Sequence, residues 1–490
     1  LGLRQPDCPN APVRTIPLRD DGQHLDLFSI IARGCSEPRQ VSARKKQAIH
    51  YGLEAPVAAI DGVSNQQHLE SRMDQTMSDA SFPIELVRDQ FPAFRREGDI
   101  PIFLDNPAGT LVPQRVIDAV GHAMATSSHN LGGLFAGSKR ADAVWLAAHK
   151  AMADMLGAAS EREIVIAQNM TTLTLHLSRS LGRMFKPGDE IIVTRMDHEG
   201  NISPWLLLAR DLGLTIKWLP FNRETWRIEA NDLKPLLTNR TRLLALNYSS
   251  NMTGSVNDVP ELAALAKQAG ALVYVDAVQL VPHRLPDVRT LGCDFLACSS
   301  YKFFGPHLGI VWGREDILLE LEPYKCRCSS DGLPERFETG TPQTELLAGL
   351  SATVDYLEWL GEMNGYSGSR RAKLRGAYRS FEAYENGLMR HLIDGLLKLP
   401  GVTVHGITNP AHMLHRVPTV SFTHETVSTH VIADGLASRN IYAWSGHNYA
   451  LEPARLLQLD EDEGVVRLGI AHYNTLAEID ATLAAIGQLI

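Results

Sequence analysis

Between residues 119 and 340, amphipathic helical stretches alternate with short apolar runs that end in polar residues. The runs are Glu163-Ile-Val-Ile-Ala-Gln168, Glu190-Ile-Ile-Val-Thr194, Arg242-Leu-Leu-Ala-Leu-Asn-Tyr248, Leu272-Val-Tyr-Val-Asp276 and Phe295-Leu-Ala-Cys-Ser299. A strand that is apolar at nearly every position must be covered on both faces, and strands separated by helices pair in parallel. The pattern therefore predicts an α/β domain built on a mostly parallel sheet. Such sheets bind ligands at the carboxyl ends of their strands, so the polar residues closing the runs are the candidate site.

A chain of 490 residues exceeds one ordinary domain. After Pro342 a helix-rich stretch runs through Trp359 and a second covers residues 369–399. Short β-like runs follow, Val402-Thr-Val-His405, Thr419-Val-Ser-Phe422 and Val465-Val-Arg-Leu-Gly-Ile470, and then a terminal helix. This predicts a smaller C-terminal α+β domain over residues 346–490, behind an N-terminal arm and large domain over residues 77–345. Residues 1–76 carry no sustained periodicity and read as an appendage foreign to the fold, with Met77 as a natural start. Beyond Met77, the residues Ile84, Val87, Phe91 and Phe94 recur at helical spacing ahead of the extended Pro101-Ile-Phe-Leu-Asp105.

Composition excludes several classes of function. Lys plus Arg number 47 against 56 Asp plus Glu, a net charge of −9, which argues against a nucleic-acid partner. No apolar run is long enough to span a bilayer, and no basic region precedes an apolar stretch at the N-terminus. Six cysteines in so long a chain make a poor disulfide framework, and Cys326-Arg-Cys328 lacks the spacing of a zinc knuckle. The histidines from His405 to His430 show no metal-ligand spacing either. The expectation is a cytoplasmic protein with no membrane or metal partner.

The strongest constellation is Tyr274-Val-Asp276-Ala-Val-Gln279 followed by Cys298-Ser-Ser-Tyr-Lys302-Phe-Phe-Gly-Pro. Singly, each part has an ordinary reading: Asp caps a helix, Lys is a solvated charge, and Gly-Pro is a turn. Together they are specific. Lys302 follows a run of small and apolar residues, where desolvation makes an amine nucleophilic. A buried Asp276 needs a cationic partner, and a protonated pyridine supplies one.

These motifs resemble the class V aminotransferase family of pyridoxal-phosphate enzymes, the group containing cysteine desulfurases, selenocysteine lyase and isopenicillin N epimerase. The resemblance extends from about Phe82 to Ile490. It implies a fold-type I pyridoxal-phosphate transferase fold, pyridoxal 5'-phosphate as cofactor, a small amino acid as substrate and a homodimer. By similarity, Lys302 carries the cofactor, Asp276 pairs with the pyridinium nitrogen and Gln279 bonds the ring oxygen. The turn Gln168-Asn-Met170-Thr171-Thr172, at a helix start suited to an anion, implies a phosphate cradle of the Met170 backbone, Thr171, Ser299 and Tyr301. Tyr301 stands where desulfurases usually carry His.

The resemblance further implies that His198, in Asp197-His198-Glu-Gly-Asn201, stacks on the ring and shuttles protons with Lys302. Asn251, in Ser250-Asn251-Met-Thr-Gly254, approaches the ring oxygen and the substrate. Arg467 grips the substrate carboxylate, a task its planar fork suits. Thr341, in Phe337-Glu-Thr-Gly340-Thr341-Pro, reaches the phosphate of the neighbouring subunit. One departure stands out. In Ser445-Gly-His-Asn-Tyr449-Ala450, Tyr449 occupies the place of the sulfur-accepting cysteine of desulfurases. The resulting expectation is a carbon–sulfur lyase or related β-eliminating enzyme that forms no protein persulfide, with aminotransfer, epimerisation and an inactive scaffold as the rival readings.

Overall fold

The structure, a computed structural model, describes residues 82–490. The expectation for residues 1–76 lies outside them. The residues at helical spacing after Phe82 fall on and between two short helices, Ile84–Arg88 and Pro92–Arg95. Proline has no N–H to donate to a helix ladder, so the first helix cannot run through Pro92. Val87 and Phe91 are nevertheless fully buried, as their spacing implies. The extended segment that follows contains β1 (Ile102–Phe103).

Seven strands form the central sheet: β2 (Ile164–Ala167), β3 (Glu190–Thr194), β4 (Thr215–Leu219), β5 (Thr241–Asn247), β6 (Leu272–Asp276), β7 (Phe295–Ser299) and β8 (Gly309–Gly313). Their order is β2-β8-β7-β6-β5-β3-β4, and β8 alone runs antiparallel to its neighbours. Five of the seven are the apolar runs of the sequence. The other two are less legible. Only Leu219 of β4 is buried, as befits an edge strand, and β8 is bounded by glycines, which read as breakers although every residue of it is buried.

Successive side chains of a strand point to opposite faces. In β5, Leu244 and Leu246 join one apolar cluster with Val273, Val275 and Leu296, while Leu243 and Ala245 join another with Tyr274, Phe295 and Val311. Helix Met170–Gly182 covers the second face through Leu173, Leu177 and Leu181. Helix Thr344–Met363 sends Leu350, Val354 and Leu357 into the first cluster.

Helix Arg370–Leu396 leads to a second, antiparallel sheet of β9 (Val402–His405), β10 (Thr419–His424) and β12 (Val466–Gly469), with β10 central. Between β10 and β12, β11 (Ile441–Tyr442) returns to pair in parallel with β1, tying the C-terminal region to the start of the described chain. Among the described residues, no helix is long and apolar enough to cross a membrane.

Candidate active site

The carboxyl ends of the parallel strands open into one cavity. It is lined by Met170, Thr171, His198, Asn251, Asp276, Gln279, Ser299, Tyr301 and Lys302, nine of the eleven residues singled out from the sequence. The sheet explains the convergence. β6 ends in Asp276 and the adjacent β7 in Ser299, while the turn after β3 supplies His198 and the helix after β2 supplies Met170 and Thr171.

Asp276 is buried and accepts the Val278 N–H on Oδ1 at 2.9 Å. Burial pushes its carboxyl up to about 6, with the Lys302 ammonium nearby opposing the rise. A buried carboxylate with no cation in contact gains from one placed against it. Lys302 sits in the turn Ser300–Lys302, and its Nζ donates to the carbonyls of Pro107 (2.6 Å) and Ala108 (2.9 Å). Burial, helped by the Arg467 charge and opposed by Asp276, lowers its amine to about 7. A lysine so placed holds a large neutral fraction near neutral pH, the state that attacks an aldehyde.

His198 caps the short turn Glu199–Asn201, its Nδ1 accepting the Gly200 N–H at 2.9 Å, so the neutral ring carries its proton on Nε2. Burial first, then the Lys302 and Arg467 charges, push it down to about 3, so at neutral pH it is a hydrogen-bond donor rather than a cation. Its turn is held by Asp197, a fully buried carboxyl that accepts from Asn201 Nδ2 at 2.6 Å, from the Asn247 N–H at 3.0 Å and from the Thr194 hydroxyl.

The start of helix Met170–Gly182 is shaped for an anion. Asn169 caps it by accepting the Thr172 N–H at 2.8 Å, while no backbone carbonyl among the described residues takes the N–H groups of Met170 and Thr171. Two glycines hold this corner open. A Cβ on Gly309 would lie 2.1 Å from the Asn169 carbonyl carbon and 2.2 Å from Met170 N, and one on Gly200 would crowd both His198 Nδ1 and Thr171 Oγ1 at 3.0 Å. Unpartnered polar atoms add to the picture: Asn251 Oδ1 and Ser249 Oγ are buried without a protein hydrogen bond, although both residues line the cavity. An anion cradle, a carboxylate awaiting a cation, an amine near its neutral point and idle acceptors together fit pyridoxal 5'-phosphate.

Arg467 and Thr341 fall outside this lining, and Gln279 lines it while bonded to backbone. Arg467, on β12, is buried just behind the cavity wall, with Nη1 donating to the Asn251 carbonyl at 3.0 Å and Nε unpartnered. Gln279 Nε2 donates to the Pro107 carbonyl at 2.8 Å, sharing that acceptor with Lys302. Thr341 lies in a second cavity, with Trp145, Gln168, Cys326, Cys328 and Glu338, so a single chain does not bring it to the first. The sequence reading missed the turn at residues 105–108, whose carbonyls hold Lys302 and Gln279. Its signal was Asn106-Pro107, a turn-forming pair directly after the extended Pro101–Asp105 segment.

The sequence profile described as Aminotransferase class-V matches residues 102–482. The chain is 33% identical over 423 residues to the aminotransferase-like protein FGM3 of Gibberella zeae, a match covering 84% of this chain and 100% of that one. It is 32% identical over 432 residues to a cysteine desulfurase of Yersinia pseudotuberculosis, covering 84% and 98% respectively. Among solved structures, the apo cysteine desulfurase of Thermococcus onnurineus is similar at a TM-score of 0.73 and 29% identity, over 84% of this chain and 99% of that one. The cysteine desulfurase CsdA of Escherichia coli gives 0.71 and 29% over the same shares.

Proposed function

This chain belongs to the class-V aminotransferase family, and from that premise we propose that it breaks a carbon–sulfur or related β-bond of a small amino acid and releases the leaving group free. Its fold is that of the fold-type I pyridoxal-phosphate transferases and its cofactor is pyridoxal 5'-phosphate. Bound in the cavity, that cofactor supplies an electron sink for the pair released at the substrate α-carbon.

The residues take the following parts. Met170 and Thr171 N–H groups, with the Ser299 and Tyr301 hydroxyls, hold the phosphate. Asp276 would hold the ring nitrogen protonated, and Gln279 and Asn251 would serve the ring oxygen. His198 would flank the ring, presenting Nε2–H as a fixed donor. Arg467 takes the substrate carboxylate. Lys302 Nζ would take the proton at the substrate α-carbon, a task matched to an amine near 7. The active unit is a homodimer in which each chain lends Thr341 to its partner's phosphate.

One observation carries the choice of free release. Among the described residues of a single chain no cysteine lines the cavity: Cys293 and Cys298 are buried in the core, and Cys326 and Cys328 border the other cavity. The side chain that meets His198 at the mouth is the Tyr449 ring. A phenol, with an ordinary pKa of about 10, is protonated at neutral pH and does not hold sulfane sulfur as a thiolate does. Supplied with cysteine, the enzyme is expected to yield pyruvate, ammonia and sulfide in equal amounts. Alanine with a protein persulfide, or a keto acid formed with transfer of the amino group, contradicts the proposal.

A further inference from the structure

Residues 445–450 do not line the cavity themselves but border it, packing against two residues that do, His198 and Asn251, in a loop of costly conformation. Gly446 has φ 100°, and the two non-glycine residues Asn448 and Tyr449 have φ 53° and 59°, in the left-handed region that side chains disfavour. Such a shape persists only where its surroundings enforce it, and here they do. The Tyr449 carbonyl accepts the Glu199 N–H at 2.9 Å, and the Asn448 carbonyl accepts Asn251 Nδ2 at 2.8 Å. The Gly446 carbonyl accepts the Val465 N–H at 3.1 Å and Asn448 Nδ2 at 2.8 Å. Opposite it, Gly464 leaves no room for a side chain, since a Cβ there would lie 2.0 Å from the Gly446 carbonyl carbon.

Two of these anchors belong to the site: Asn251 lines the cavity and Glu199 follows His198. The loop is therefore set by the residues that shape the cavity, and it delivers one side chain to them. The Tyr449 ring stacks on the His198 ring with centroids 5.4 Å apart and planes 23° apart, while remaining 66% exposed. His447 packs edge-on against it, centroids 6.4 Å apart. The floor is polar. The mouth is aromatic.

We infer that Tyr449 is a specificity-determining residue, whose ring extends the His198 face into an aromatic wall that selects amino acids carrying a thioether or thiol at Cβ over those carrying an oxygen in the same place. The inference rests on the proposed β-bond cleavage and names the leaving-group class. A polarisable sulfur gains from contact with a ring. An ether or hydroxyl oxygen, less polarisable, gains less from the same contact.

The test compares S-methylcysteine with O-methylserine, alike in shape and different in one atom, by the dissociation constant each gives in a spectral titration of the holoenzyme. Wild type is expected to favour the sulfur compound about two- to tenfold, the range of a sulfur–ring contact. Tyr449→Phe keeps the ring and retains that ratio. Tyr449→Ala and Tyr449→Leu, both at a largely exposed position, bring it to about one. A ratio that survives in the Ala and Leu variants, or that vanishes equally in the Phe variant, overturns the inference. Because the ratio is read from binding alone, it separates from the reaction: a normal ratio with no pyruvate formed refutes the β-cleavage reading and leaves the selective wall standing.

Discussion

The floor and the mouth of the cavity are built by opposite means. The floor is made of residues at the ends of β6 and β7 and at the start of helix Met170–Gly182, where pairing register fixes each side chain. The mouth is made by the loop of residues 445–450, which no strand or helix contains and which side-chain and backbone anchors hold in left-handed geometry. On the proposed reading, the floor carries the groups that serve the cofactor, whatever the substrate. The mouth carries Tyr449. The contrast assigns the chemistry of the family to the regular part of the fold and the choice of substrate to the irregular part.

The strongest way to break that contrast is at Asp276. Asp276→Asn keeps the shape and the Val278 bond but removes the anion facing the ring nitrogen, and turnover is expected to fall about 10²-fold or more with little change in melting temperature. Near-normal turnover would show that another group faces the pyridine.

Acid sharpens the contrast next. Burial holds His198 and His472 down at about 3 and His405 at about 4, so the folded chain keeps them neutral while the unfolded chain, near 6.5, protonates them. Their contribution is complete above pH 6.5 and is lost as pH falls toward 3, at about 1.4 kcal/mol per pH unit for each histidine. Denaturant titrations at pH 7 and pH 5 are expected to show this loss, and His472→Phe is expected to reduce it. An equal loss in wild type and His472→Phe would contradict the burial argument, because the buried Asp276 carboxyl, raised to about 6, opposes the loss alike in both.

A smaller effect is expected at Thr341. If Thr341 serves the partner's phosphate as proposed, Thr341→Ala is expected to weaken cofactor binding about two- to tenfold. In a mixed dimer the weakened site is expected to be that of the unmutated chain, because Thr341 lies outside its own chain's first cavity. No change in affinity would remove Thr341 from the site. The smallest effect is expected from deleting residues 1–76: the apolar core of the described region already begins at Val87, and the remaining chain is expected to melt and bind cofactor as the full one does. Loss of cofactor on truncation would place that segment within the functional unit.

Legibility in the sequence followed the same division. Asp276, Ser299 and Lys302 were readable because a fully buried parallel strand leaves an apolar run whose last residues mark the ligand edge. β8 was not readable, because Gly309 is there to let the Asn169–Met170 backbone pass and looks like a breaker when seen alone. The hold of the Pro107 and Ala108 carbonyls on Lys302 was hidden for a different reason: it joins residues 194 and 195 positions apart through backbone atoms, which leave no mark on residue choice. Tyr449 was noticed as the absence of a cysteine, while its stacking on His198 depends on left-handed backbone at Asn448 and Tyr449, which neither residue type advertises.

The central claim is that the strand ends form a site for pyridoxal 5'-phosphate with Lys302 as its covalent anchor. Its most direct test is to load the protein with the cofactor, reduce it with borohydride, digest it and locate the pyridoxyl label. The account predicts the label on Lys302 alone, attached at a rate that rises as pH passes through about 7, where its amine becomes neutral, and no label in Lys302→Ala. A label on any other lysine, or one that survives in that variant, would contradict it.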